Sequence, residues 1–169
     1  MRTGKRNIAA GLLFLAGFMV YGFVLIYLRD FAADKAEWIA AYSTGKHFEA
    51  RLAHVHGNLF AFLNVVMGYL LLHFGERLRW STLTSWLGLI GLLMPAGILA
   101  EVYLGAPPVF VLIGALAMTA AVFLLGTAYA GLAVLVWLPM FLGELALHTT
   151  FAPRDWHVHE MLYGYLPAV

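Results

Sequence analysis

Apolar residues run along this chain in long unbroken stretches, and most polar residues collect in short segments between them. Residues 8–28, 54–73 and 83–103 each approach the ~20 residues that a helix needs to cross a hydrocarbon core. The first stretch follows a basic start at residues 1–7 and ends at Arg29-Asp30. A signal peptide would begin the same way, but its apolar core is usually only about 7–15 residues long. Residues 8–28 are therefore read as the first transmembrane helix. Residues 30–51 form the longest polar segment, in which Lys46-His47 is read as loop. Trp38 and Tyr42, four positions apart, would share a helical face at the headgroup level. A basic turn at residues 75–79 follows the second span. The GAPP segment at 105–108 ends the third, because two prolines cannot sit inside a regular helix without kinking it.

No charge occurs between Glu101 and Glu144. A single helix over 109–142 would be about 50 Å long at the α-helical rise, against a hydrocarbon core of about 30 Å. The expectation is two spans with almost no loop, turning near Gly126-Thr127 or Gly131, the second kinked at Pro139. A polar connection at 148–155 leads to Trp156-His157-Val158-His159-Glu160 and a last apolar run, 161–169, too short to span. That run reads as the first half of a further helix, truncated or fused. The fold class is thus all-α: a polytopic membrane helix bundle of four to five transmembrane helices plus a truncated C-terminal helix. Residues 1–125 form a four-helix membrane bundle, and 126–169 an additional helix, an external loop and a partial helix.

Composition agrees with this reading. The chain is 63% hydrophobic and 11% charged, with a mean hydropathy of +0.84, where a soluble domain carries about 25% charge. A formal net charge of +1 leaves no electrostatic footprint for nucleic acid. There is no cysteine, so any metal or prosthetic group must be held by His, Met, Tyr, carboxylate or amide. Arg2, Lys5 and Arg6 before the first span, and Arg77 and Arg79 after the second, belong on the cytoplasmic side. The expected location is a bacterial inner membrane with the N-terminus in the cytoplasm. His54, His56, Glu101, Tyr103, His157 and His159 then all lie near the external surface. Membrane lipid is the expected surrounding, and a homo-oligomer is allowed.

The second span carries the most chemistry. At 100° per residue, His54 shares a face with Asn58, Ala61, Val65 and Gly68, with Asn64 to one side and Gly57 close by. These are small or polar residues, suited to helix packing or to the close approach of a cofactor. His54 is a candidate ligand or catalytic group, since ionisable groups within spans are functional by default. The alternative is that His54 and Asn58 simply hydrogen-bond neighbouring helices. His56 points nearly the opposite way, toward lipid, and an interfacial role suits it better. His73 reads as a capping residue. Tyr103 is either an interfacial aromatic or a hydrogen-bond donor into the site, and Glu101 needs a partner such as a histidine or Arg51. His157 and His159, spaced H-x-H, fall on opposite faces of a helix, so they reach one metal only from extended or irregular backbone.

Two resemblances follow from these residues. Ala53-His54 opening the second span, Gly57 after it and Tyr103 ending the third make residues 1–122 resemble the small four-helix membrane haem proteins typified by styrene oxide isomerase. In that family the His ligates haem b, whose ferric iron acts as a Lewis acid on an epoxide oxygen, while a Tyr and an Asn place the substrate. The resemblance implies His54 as axial ligand and Tyr103 as a positioning group for a small apolar substrate, while Asn58 and Asn64 are the asparagines that this span itself offers as catalytic candidates. The chain departs from the pattern at the asparagine, which in the family falls near the place of Phe60. Residues 123–169, with LALHTTFAPRDWHVHEMLYGYLPAV, resemble the start of NnrS, many-helix bacterial membrane proteins that contain haem and copper and are linked to nitric oxide stress. That similarity implies His157 and His159 as metal or haem-site histidines and a diatomic gas as ligand. A haem-dependent isomerase, an NnrS-like haem and copper protein and a cofactor-free structural membrane protein are the three functions to separate.

Overall fold

The structure is a computed structural model and describes residues 3–142; within 129–141 only the backbone and Gly131 are described. The chain divides into two compact units, Met1–Ala121 and Val122–Val169. All regular structure among the described residues is helical. The helices are α1 (Lys5–Asp30), α2 (Lys35–Ala40), α3 (Gly45–Phe74), α4 (Ser81–Gly91), α5 (Leu93–Leu104) and α6 (Val109–Phe141), with a 3-10 turn at Gly75–Arg77 between α3 and α4. Among the described residues, four stretches are long and apolar enough to cross a membrane: Lys5–Asp30, Gly45–Arg77, Ser81–Leu104 and Val109–Ala128. The protein is a multi-pass membrane protein.

In the first unit α3 is the central element, packed along α1 on one side and against α4 and α5 on the other. Its buried face is Ala50, Ala53, Gly57, Ala61, Asn64, Gly68 and Leu71, spaced three and four apart so that they form one stripe. Lipid offers no hydrophobic gain for pressing two helices together, so small residues that let backbones approach are what draw them close. A Cβ at Gly11 would lie 2.7 Å from the Ala61 carbonyl, one at Gly68 would lie 2.6 Å from the Gly4 carbonyl, and one at Gly57 would strike the Phe18 ring. Going up α1 means going down α3, so the two run antiparallel. Ala53 of α3 meets Ile98 and Val102 of α5 in a small apolar core. Gly114 of α6 lies against the backbone of Met94 in α5, and Met118 lies over Gly91 of α4.

Three boundaries differ from the expected ones. The third span is two helices, broken at Leu92. Pro95 has no N–H for the Gly91 carbonyl and its ring crowds that carbonyl, so the ladder stops one turn before it. The second is α3, which starts nine residues earlier than His54 and takes in the supposed loop at Lys46-His47. The last is α6, which is helical from Val109 to Phe141 with no turn at Gly126 or Gly131. An isolated glycine costs an α-helix only about 1 kcal/mol, and no proline or polar cluster stands beside either one. The Thr127 hydroxyl donates back to the Phe123 carbonyl at 3.0 Å, so it sits within the helix without starting a turn. The break at 105–108 is as expected. Gly105 takes φ 67 and ends α5, its N–H on the Glu101 carbonyl and that of Ala106 on the Ala100 carbonyl, a left-handed cap that suits glycine.

Candidate functional site

His54 lies in the groove between α1 and α3. Gly22 of α1 makes the room: a Cβ there would be 2.9 Å from His54 Cε1, 3.4 Å from Nε2 and 3.7 Å from Nδ1. The edge of the ring that carries both nitrogens is therefore turned onto the α1 backbone. One turn along α3, Asn58 Nδ2 donates to the His54 carbonyl at 3.0 Å. The same nitrogen is 3.3 Å from His54 Nε2 and 3.5 Å from Nδ1. Asn58 Oδ1 is buried with no hydrogen-bond partner.

Tyr21, next to Gly22, joins this group. Its ring lies 6.3 Å from the His54 ring, centroid to centroid, and its hydroxyl is 2.9 Å from that of Tyr103. His54, Asn58 and Tyr103 thus lie at the same end of the bundle, with Tyr21 linking α1 to α5. Tyr21 was hidden in an apolar run, and its only advance signal was a hydroxyl inside a span that also carries Tyr27.

Three candidates lie elsewhere. Asn64 is fully buried and belongs to a separate polar knot lower in the bundle. Its Nδ2 donates to the Phe60 and Gly88 carbonyls at 3.0 and 2.8 Å. Its Oδ1 accepts from Asn7 Nδ2 at 3.0 Å, which also donates to the Ser85 carbonyl at 2.9 Å. The Ser85 hydroxyl donates to Asn7 Oδ1. The knot ties α1, α3 and α4 together, and Asn7 and Ser85 are its members that the pattern of the chain did not single out. His56 is half-buried rather than turned wholly to lipid, its Nδ1 2.9 Å from the Leu52 carbonyl and its ring edge-on to Phe60. Glu101 is half-buried at the end of α5. Its carboxylate has no hydrogen-bond or ion-pair partner among the described residues, so it is not paired there with Arg51 or with a described histidine. Arg51 instead lies 3.7 Å above the Tyr42 ring and donates to the Tyr42 carbonyl at 3.1 Å.

His47, read as loop, is buried in the first turn of α3. Trp38 stacks on it at 4.3 Å and Tyr42 meets it edge-on at 5.3 Å. Tyr42 lies past the end of α2, so the two aromatics do not share a helical face as expected; they cover this histidine from two directions instead. His73 Nδ1 is 2.9 Å from the Tyr69 carbonyl, one turn back in the exposed end of α3; that carbonyl is not among the four left open at the helix end, so the contact is a back-bond within the helix and not the expected cap.

A metal bonds an imidazole nitrogen at about 2 Å along the ring edge. At His54 that edge faces Gly22, and Asn58 covers both nitrogens, so the packing of α1 against α3 does not fit His54 as an axial haem ligand. No group of three or more metal-binding side chains occurs among the described residues. His157 and His159 lie outside the described residues.

The comparisons with known proteins point to the other end of the chain. The family model described as NnrS protein matches residues 121–169. That is less than half of the chain, and it contains both His157 and His159. No curated protein and no solved structure matches, so the isomerase-like reading of residues 1–122 finds no counterpart.

Proposed function

We propose that this is an NnrS-like metal-binding membrane protein whose metal, haem iron or copper, is held through His157 and His159. The observation that carries the reading is the family match over residues 121–169, which takes in the closely spaced pair His157 and His159 of a chain without cysteine. The donor set suits either metal, since imidazole binds both iron and copper. When bound, the metal supplies a coordination site for a diatomic gas such as nitric oxide. The helices of the first unit hold the protein in the bilayer, and the inner membrane, with the N-terminus in the cytoplasm, is the location that the basic segments favour.

The test is an oxidised and reduced visible spectrum with elemental analysis, on the full chain and two variants. His157→Ala with His159→Ala should lose metal and any Soret or copper absorption, while His54→Ala keeps both. Colourless, metal-free wild-type protein would reject the proposal in favour of a structural role.

A haem-dependent epoxide isomerase is the second reading. It draws on the meeting of His54, Asn58 and Tyr103 through Tyr21 at one end of the bundle. It requires α1 to part from α3 at Gly22, and it predicts the reverse result, a Soret band lost in His54→Ala, together with turnover of an aryl epoxide to an aldehyde.

A further inference from the structure

The apolar surface of the first unit does not stop where its spans end. Helix α1 has 26 residues, about 39 Å at the helical rise, against a hydrocarbon core of about 30 Å. Its last turn therefore stands at the level of the headgroups. That turn closes with Arg29 paired to Asp30 at 2.7 Å, both side chains exposed. Phe31 follows at once and is 73% exposed. Its ring stacks on that of Tyr27, with 6.4 Å between centroids and 16° between planes. Phe23, Tyr27 and Phe31 are all exposed and recur every four positions, so they form one track from the side of α1 up to its end. Helix α3 repeats the pattern. Phe48, in its second turn, is 46% exposed and lies seven positions before the exposed Val55, on the same face.

Between these two aromatics lies α2, whose flanks differ. Trp38 turns inward and stacks on His47, so it does not mark the membrane surface. Ile39, 51% exposed, sits one turn on from Lys35. The Lys35 ammonium donates to the Asp30 carbonyl at 3.3 Å. That bond draws the flank holding Lys35 and Ile39 toward the end of α1, where Phe31 begins. Glu37 is also exposed, but at 100° per residue it falls about 160° around the helix from Ile39, on the opposite flank.

We propose that α2 lies in the membrane surface, with Phe31, Ile39 and Phe48 set into the boundary between headgroups and acyl chains and Glu37 turned to water. Continuity selects this occupant. The track of Phe23 and Tyr27 that ends at Phe31, and the face of Val55 that ends at Phe48, are lipid-facing surfaces of spanning helices, and α2 bridges their upper edges. An interfacial helix of this kind holds its apolar side within the boundary region and its polar side in the aqueous phase. Lys35 suits the position, since a lysine keeps its stem on apolar surface while its ammonium stays among polar groups.

A chain without cysteine allows a direct test. Phe31→Cys, Ile39→Cys and Glu37→Cys are each made in the full chain, labelled with a nitrobenzoxadiazole fluorophore and reconstituted in vesicles of phosphatidylglycerol and phosphatidylcholine. Circular dichroism confirms that each labelled protein keeps its helices. The labels at 31 and 39 should emit to the blue of the label at 37. They should be quenched by phosphatidylcholine carrying a nitroxide at the top of its acyl chain, and shielded from aqueous iodide. The label at 37 should show the reverse, open to iodide and weakly quenched by the lipid nitroxide. Iodide reaching 31 and 39 as readily as 37 would overturn the proposal, because α2 would then stand clear of the membrane. Shielding from iodide without quenching by the lipid nitroxide would overturn it as well, since protein and not lipid would then cover these residues.

Discussion

Asn64 shows what a single polar side chain does inside this bundle. It is fully buried and makes three hydrogen bonds, to Phe60, Gly88 and Asn7. Interhelical polar contacts in membranes average only about 0.6 kcal/mol, but truncation here takes away one acceptor of the buried Asn7 amide, which keeps its bonds to Ser85, and the side-chain donor to the Gly88 carbonyl, where water cannot reach them. Such a loss at buried groups costs about 1–3 kcal/mol, and this larger effect should dominate. Asn64→Ala is expected to lower stability by that amount in reversible detergent unfolding, whereas Asn58→Ala, whose Oδ1 is already without a partner, should cost less. An equal loss in the two variants would mean that the knot is not a tie. His54 makes the complementary point. Its place on the α3 face with Asn58 was legible from 100° steps, but which way its nitrogens point was not, because that depends on Gly22, thirty-two positions earlier on another helix.

Helix α1 shows how contact, and not composition, gives each glycine its meaning. Gly11 and Gly17 look alike in the sequence. In the structure a Cβ at Gly11 would lie 2.7 Å from the Ala61 carbonyl, while one at Gly17 would meet nothing within 4 Å. A backbone obstacle cannot rotate away, so Gly11→Ala should destabilise by about 1–3 kcal/mol through overpacking. Gly17→Ala should be neutral or stabilise by about 0.5–1 kcal/mol, since alanine is the better helix former. Paired unfolding measurements read this directly, and a Gly11→Ala protein as stable as Gly17→Ala would refute the antiparallel register of α1 on α3. Pro95 and Gly126 carry the same lesson for boundaries. Proline removes a donor wherever it sits inside a helix, so the break before Pro95 was within reach of the sequence. Glycine only weakens a helix, and the expected turn at Gly126 does not form.

At the scale of the molecule the unevenly placed charge decides orientation. The basic end, with Lys5, Arg6, Arg77 and Arg79, should face the cytoplasm, and the balanced segment around α2 should face out. A chain without native cysteine permits a clean check with single cysteines at exposed Ala36 and Glu76. An impermeant maleimide added to intact cells should label Ala36→Cys and spare Glu76→Cys until the membrane is opened. Labelling of both from outside would remove the topology and, with it, the cytoplasmic placement of the N-terminus.

Residence in the membrane and helical class were settled by the chain alone, because no other backbone geometry satisfies its own hydrogen bonds over so many apolar residues. The small-residue face of α3 and the stop at 105–108 followed from local rules of the same kind. The partners of His54, Asn64 and His47 were decided only by tertiary packing. Those of His54 and Asn64 depend on residues far away in sequence, Gly22 and Asn7, which reach these sites only when the helices cross, and helix-crossing registers are set by side-chain fit that periodicity does not encode; Trp38 reaches His47 across the short turn between α2 and α3.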